Sequence, residues 1–155
     1  SKAVDIQAAY ESAMSSLLVA MSGANYIHDI AGLMETDLTV AYEKLVMDNE
    51  ILGMTQRVLR GIEVTDDTLA TDLIIEKGPA KDYLVEEHTI KYMRGEFYDP
   101  TISNRKQRDT CTGDDSADAL ARAKVREFLS TAPESKLDSA TRSAILKKYP
   151  EIRQG

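Results

Sequence analysis

A single stretch of this chain, Asn25 to Ile30, reads as a buried β-strand, and helical patterns flank it on both sides. The segment is rich in residues that suit strands and is bounded by Gly23 and Gly32. A strand must exchange backbone hydrogen bonds with a neighbour, and a lone strand has none. The expectation is therefore an α/β sheet or barrel whose other strands come from an N-terminal portion outside this sequence, this piece itself being mostly helical.

The helices are marked by their ends. Asp5 caps a first helix whose apolar residues Ile6, Tyr10, Ala13, Met14, Leu17 and Met21 recur at spacings of three and four, and Ser22-Gly23 stops it. That stripe is expected to face a partner surface. A long helix is predicted from Asp37, as cap, to Arg60, with Gly61 as stop. Its two adjacent stripes, Ala41-Leu45-Leu52 and Met47-Ile51-Met54-Val58, predict that much of it is buried. Thr65-Asp66 caps a helix to Lys77, ended by Gly78-Pro79. His88 to Tyr98 reads as a short helix, Thr101 to Asp114 as a polar loop, and two final helices span Asp115 to Ser130 and Asp138 to Tyr149.

Charge and length narrow the functional classes. A formal charge of -7 argues against nucleic acid, whose phosphates are held by clustered Lys and Arg. The longest strictly apolar run, Leu17 to Met21, is far below the roughly 20 residues that span a bilayer. A soluble, cytoplasmic protein is expected, and the single cysteine, Cys111, agrees with a reducing compartment. The chain has no initiator Met and reaches a helix cap at Asp5, so its start reads as a cut in a longer chain.

Metal chemistry is not suggested, because the two histidines are 60 residues apart with no cysteine companions. His28 is the strongest catalytic candidate, since His28-Asp29 sits at the C-terminal end of the expected strand, where barrel enzymes place reactive groups; a hydrogen-bonded core histidine is the competing reading. Tyr10 and Tyr26 could offer ring faces to a methylated ammonium, or simply pack in a core. Gln7 and Glu11, near the first helix terminus, could orient a polar ligand or stand as solvated polar groups. His88, after Glu86-Glu87, reads as a loop or helix-cap residue.

Three runs carry more information together than apart: DIQAAYESAMSSLLVAMSGANYIHDIAGL, YEKLVMDNEILGMTQRVLRGIEV and EHTIKYMRGEFYDP. In this order they resemble the C-terminal region of the trimethylamine:corrinoid methyltransferase family, over nearly the whole chain. The resemblance implies an α/β fold, the C-terminal part of a (β/α)8 TIM barrel, with residues 1–100 as late barrel elements and 101–155 as loop and helical tail. It implies methyl transfer from a methylated amine to the cobalt of a cognate corrinoid protein, with His28 on the corrinoid or substrate side, Tyr10 and Tyr26 as walls, and Gln7 and Glu11 orienting the amine. The implied partners are that corrinoid protein, the amine, the remaining N-terminal part of the enzyme and further copies of it in a homo-oligomer. In the trimethylamine branch of the family, pyrrolysine lies just upstream of a region like SKAVDIQAAYE, so pyrrolysine is expected immediately before Ser1 and trimethylamine as substrate. A branch without pyrrolysine demethylates quaternary amines such as glycine betaine. A non-catalytic helical interaction module is the alternative from another class.

Overall fold

The computed structural model describes residues 1–111, 113–131 and 136–152. They form two compact units, 1–125 and 126–155. In the first, α1 (Ile6–Met21) leads through an irregular segment to a hairpin, β1 (Leu33–Met34) with β2 (Thr39–Val40). Then follow α2 (Tyr42–Arg60), α3 (Asp66–Leu69), α4 (Thr71–Lys77) and α5 (Glu87–Tyr92). The chain continues with α6 (Ala117–Ser130), and the second unit holds α7 (Ser139–Lys148).

Local chemistry explains the helix ends. The Asp5 carboxylate accepts the Ala8 N–H at 3.0 Å and caps α1, and Gly23, at φ +88°, takes the chain out of it. Thr65 and Thr68 close a reciprocal capping box at the start of α3. Asp138 caps α7 through the Thr141 N–H at 2.8 Å.

The strand expected at Asn25 to Ile30 is absent: the segment is neither strand nor helix. Its backbone has no paired neighbour here, and Asp29 at φ +51° interrupts any extended run. The ladder that does form is antiparallel, Leu33 opposite Val40 and Met34 opposite Thr39. Asp37 is correspondingly not a helix cap. Glu35, Thr36 and Asp37 all take positive φ and make the hairpin turn, so α2 starts five residues later, capped by Ala41 without a side-chain bond. The single helix expected from Thr65 to Lys77 is broken at Ala70, whose φ of +50° separates α3 from α4. The helix expected from His88 to Tyr98 is shorter, α5 ending at Tyr92. Two short 3-10 turns, Arg108–Thr110 and Gly113–Asp115, interrupt the expected loop, in which Thr112 lies outside the described residues.

The packing also departs from the apolar stripes. Helices α1 and α2 meet through small and polar side chains: Ala8 and Ser16 are buried on α1, Lys44, Asp48 and Thr55 on α2. Ser16 Oγ lies 3.4 Å from Thr55 Oγ1 across this seam. The stripe of α1 faces outward, with Ile6 84% exposed and Tyr10, Met14 and Met21 more than half exposed. On α2, Leu45, Met54 and Val58 are exposed as well. Seams of small residues let helix backbones approach closely enough for side chains to bond across them, which a row of Met and Leu would prevent.

The 101–103 segment is tied to α2 by one carboxylate. Glu50, 3% exposed, accepts Thr101 N at 2.6 Å, Thr101 Oγ1 at 2.9 Å, Ile102 N at 2.7 Å and Ser103 Oγ at 2.6 Å. Burial pushes this carboxyl up, and the bonds from Ser103, Ile102 and Thr101 together bring it below the usual glutamate value.

Candidate functional site

Residues 27–30 fold back along α1 and leave a groove of about 270 Å³. Glu11, Ser12 and Ser15 line its helical wall, and Ile27, His28 and Asp29 the opposite one. The helical wall follows from periodicity, since positions 12, 15, 16 and 19 fall on one side of α1. The other wall depends on Asp29, which occupies the left-handed region that Asp tolerates better than most residues.

His28 and Glu11, far apart in sequence, are thus brought to one groove. His28 is 72% exposed at its side chain, and its Nδ1 lies 2.5 Å from Asp29 Oδ2. That contact occupies Nδ1 and leaves Nε2 as the second ring nitrogen. Glu11 accepts the Gln7 side-chain amide at 2.7 Å.

The other sequence-predicted residues sit around this pair rather than in it. The Tyr26 ring lies beside His28, centroids 6.2 Å apart and tilted by 45°, and is largely exposed. Gln7 touches Glu11 but lines a neighbouring hollow with Ser1, Asp5, Glu35 and Thr36. Tyr10 lines neither of these hollows. Sequence reading missed Ser12, Ser15 and the bonds behind them. The available signal was Lys44 and Asp48, opposite charges one helical turn apart in a helix otherwise read as buried.

A second, larger cleft of about 1040 Å³ lies between α3, α4 and α5, lined by Asp67, Asp72, Glu86, Glu87, His88 and Lys91 among others. Its polar groups are mutually engaged. His88 Nε2 lies 2.8 Å from the Asp67 carbonyl, and the Asp67 carboxylate accepts from Lys91 Nζ and Tyr92 Oη. Lys91 first, then Tyr92, hold Asp67 below its usual value, and Asp67 in turn raises both partners. Among the described residues, no group of His, Cys, Asp and Glu could hold a metal ion, and no helix is long and apolar enough to cross a membrane. Cys111 is exposed, with the Asn104 side-chain amide 3.3 Å from its sulfur.

Comparison with known proteins gives a consistent set of relatives. A family model described as trimethylamine methyltransferase (MTTB) matches residues 1–154. A glycine betaine methyltransferase of Desulfitobacterium hafniense (strain Y51) is 39% identical over 110 residues, covering 71% of this chain and 23% of the relative. A trimethylamine methyltransferase MttB of Desulfitobacterium hafniense (strain DSM 10664 / DCB-2) is 36% identical over 123 residues, 79% of this chain and 24% of the relative. One from Methanosarcina barkeri (strain Fusaro / DSM 804) is 40% identical over 88 residues, 57% of this chain and 18% of the relative. The matches thus span about a quarter or less of the length of these relatives.

Proposed function

The chain belongs to the trimethylamine methyltransferase family, and from that premise we propose that the complete enzyme transfers a methyl group from trimethylamine to the cobalt of a cognate corrinoid protein. The family match across residues 1–154 carries this reading. On it, the chain is the C-terminal part of a (β/α)8 barrel completed by the remaining N-terminal part of the enzyme, and the homo-oligomeric enzyme works in the cytoplasm. The outward apolar stripe of α1 supports such a context, because that surface is what a barrel helix buries against its sheet.

The chemistry asks for a cation held still. The methyl carbon leaves nitrogen without the C–N electron pair, so nitrogen must be protonated or quaternised to accept that pair. Glu11 and Asp29 place carboxylates beside the groove and favour the charged amine over the neutral one. Tyr26 offers a ring face at the rim, where attraction to an ammonium is worth about 0.5–1 kcal/mol. A volume near 270 Å³ suits a methylated ammonium ion and is too small for a corrin ring. The corrinoid, which supplies the methyl-accepting metal, therefore stays on its carrier, and His28 is the catalytic candidate at the face it would meet. Pyrrolysine just upstream of Ser1 belongs to this trimethylamine reading, and sequencing the gene across that junction tests it.

A second reading, demethylation of glycine betaine, is favoured by the relative of that name, 39% identical over 71% of this chain. The complete enzyme, mixed with its reduced corrinoid protein and either amine, separates the two by the visible spectrum of the cobalt. Methylation with trimethylamine is expected. Methylation with betaine alone selects the second reading, and none with either leaves a non-catalytic helical module.

A further inference from the structure

Behind the groove lies an ion pair removed from water. Lys44 and Asp48, one turn apart on α2, are 3% and 1% exposed, and Lys44 Nζ lies 2.6 Å and 2.5 Å from the two Asp48 oxygens. Each member also reaches a different wall of the groove. Lys44 Nζ donates to Ser12 Oγ at 2.7 Å, on the α1 wall. Asp48 Oδ2 accepts the N–H of Gly32 at 2.8 Å, and Gly32 ends the segment that carries Ile27, His28 and Asp29. Gly32 is itself constrained, with φ +79° and the Leu45 side chain 3.4 Å from where a Cβ would stand.

Energetics argue that this pair is not there to glue the helices together. Burying two charges costs most of what their attraction returns, and a well-packed apolar pair of similar volume holds helices at least as firmly. An apolar pair cannot, however, donate to a hydroxyl on one wall and accept from a backbone amide on the other at fixed distances. Because both groups are already buried, further protein around this chain can only enclose them more.

We propose that Lys44 and Asp48 are positioning residues for the amine groove, clamping the α1 wall through Ser12 and the His28 wall through Gly32 so that the separation of the walls matches a methylated ammonium ion. The inference rests on the reading of that groove as the amine site. Neither residue touches the amine; both act through the groups they hold.

The test uses the complete enzyme carrying Lys44→Met together with Asp48→Leu, which replaces the pair by apolar groups of similar size. Thermal melting reports folding, calorimetry with tetramethylammonium reports affinity without turnover, and steady-state kinetics separate KM from kcat. The expected result is a melting temperature at or above the parent's, a dissociation constant and a KM raised about tenfold, and a kcat within about threefold. A folded double variant with parental affinity and KM overturns the proposal. Should the double variant not fold, Ser12→Ala decides: a rise of about threefold in both constants supports the clamp, and parental values overturn it. Glu11→Gln and His28→Ala separate the two levels. If they weaken tetramethylammonium binding while the clamp variants do not, only the positioning inference falls; if they too leave it unchanged, the groove reading falls and the clamp with it.

Discussion

Replacing Glu50 by glutamine removes one charge and keeps the shape of the side chain, so it isolates what the charge contributes to holding residues 101–103 against α2. Three bonds converge on Oε2, from Thr101 N, Thr101 Oγ1 and Ile102 N, and a fourth reaches Oε1 from Ser103 Oγ. Glutamine can turn its carbonyl toward the first three and its amide toward the serine, whose hydroxyl can accept. Bonds to a charged group contribute about 1 kcal/mol more than neutral ones, so weakening three of them, which do not add fully, costs about 2–3 kcal/mol. The local opening that exposes the Thr101 and Ile102 amides should become roughly 30- to 150-fold more frequent, since each 1.4 kcal/mol is about tenfold. Amide hydrogen exchange at these two positions measures this directly. The pH dependence has a definite sign. Because the folded value of Glu50 is lowered from 4.5, its contribution is complete above about pH 4.5 and disappears as pH falls through the folded value. Parent and Glu50→Gln should therefore differ at neutral pH and converge in acid. A change under about threefold at pH 7, or a gap undiminished in acid, would refute the reasoning.

Gly53→Ala should destabilise despite alanine's better helix propensity, because the new Cβ would stand 2.5 Å from Tyr98 Cε2; a net loss of about 1–2 kcal/mol is expected in thermal melts. In the same variant the Tyr98 phenol, now held above its usual value by burial and then by Glu50, should titrate lower in ultraviolet titrations as the ring is pushed toward water. Asp5→Ala removes the cap of α1, and exchange of the Ala8 amide should quicken by about fivefold. The lowered value of Asp5 means that the parent loses this protection as pH falls below about 3.8. Glu11→Gln should raise the KM for trimethylamine about two- to fivefold, as expected for an exposed charge beside a cation, and kinetics at moderate and high salt should show the difference shrinking with salt.

What could be read without the structure was whatever a few neighbouring residues decide. Asp5 caps α1, Thr65 caps α3 and Asp138 caps α7, while Gly61 and Gly78 end α2 and α4, because a capping bond or a positive φ is settled within one helical turn. Family membership was legible too, since it rests on the order of residues alone. Residues 25–30 could not be placed, because a strand exists only where another backbone pairs with it. Nor could the hairpin: Glu35, Thr36 and Asp37 take left-handed backbone without a glycine to announce it, and Ala70 does the same between α3 and α4. The apolar spacing of α1 marked a greasy face that is exposed in this structure, and it left open which face of the helix meets α2. In this chain α1 meets α2 through Ala8, Ser12 and Ser16, and the polar ties from Lys44 and Asp48 set which faces touch. Periodicity measures how hydrophobicity is distributed around one helix, whereas which face is covered depends on partners distant in sequence. That choice belongs to the tertiary structure alone, and so does the meeting of Glu11 with His28.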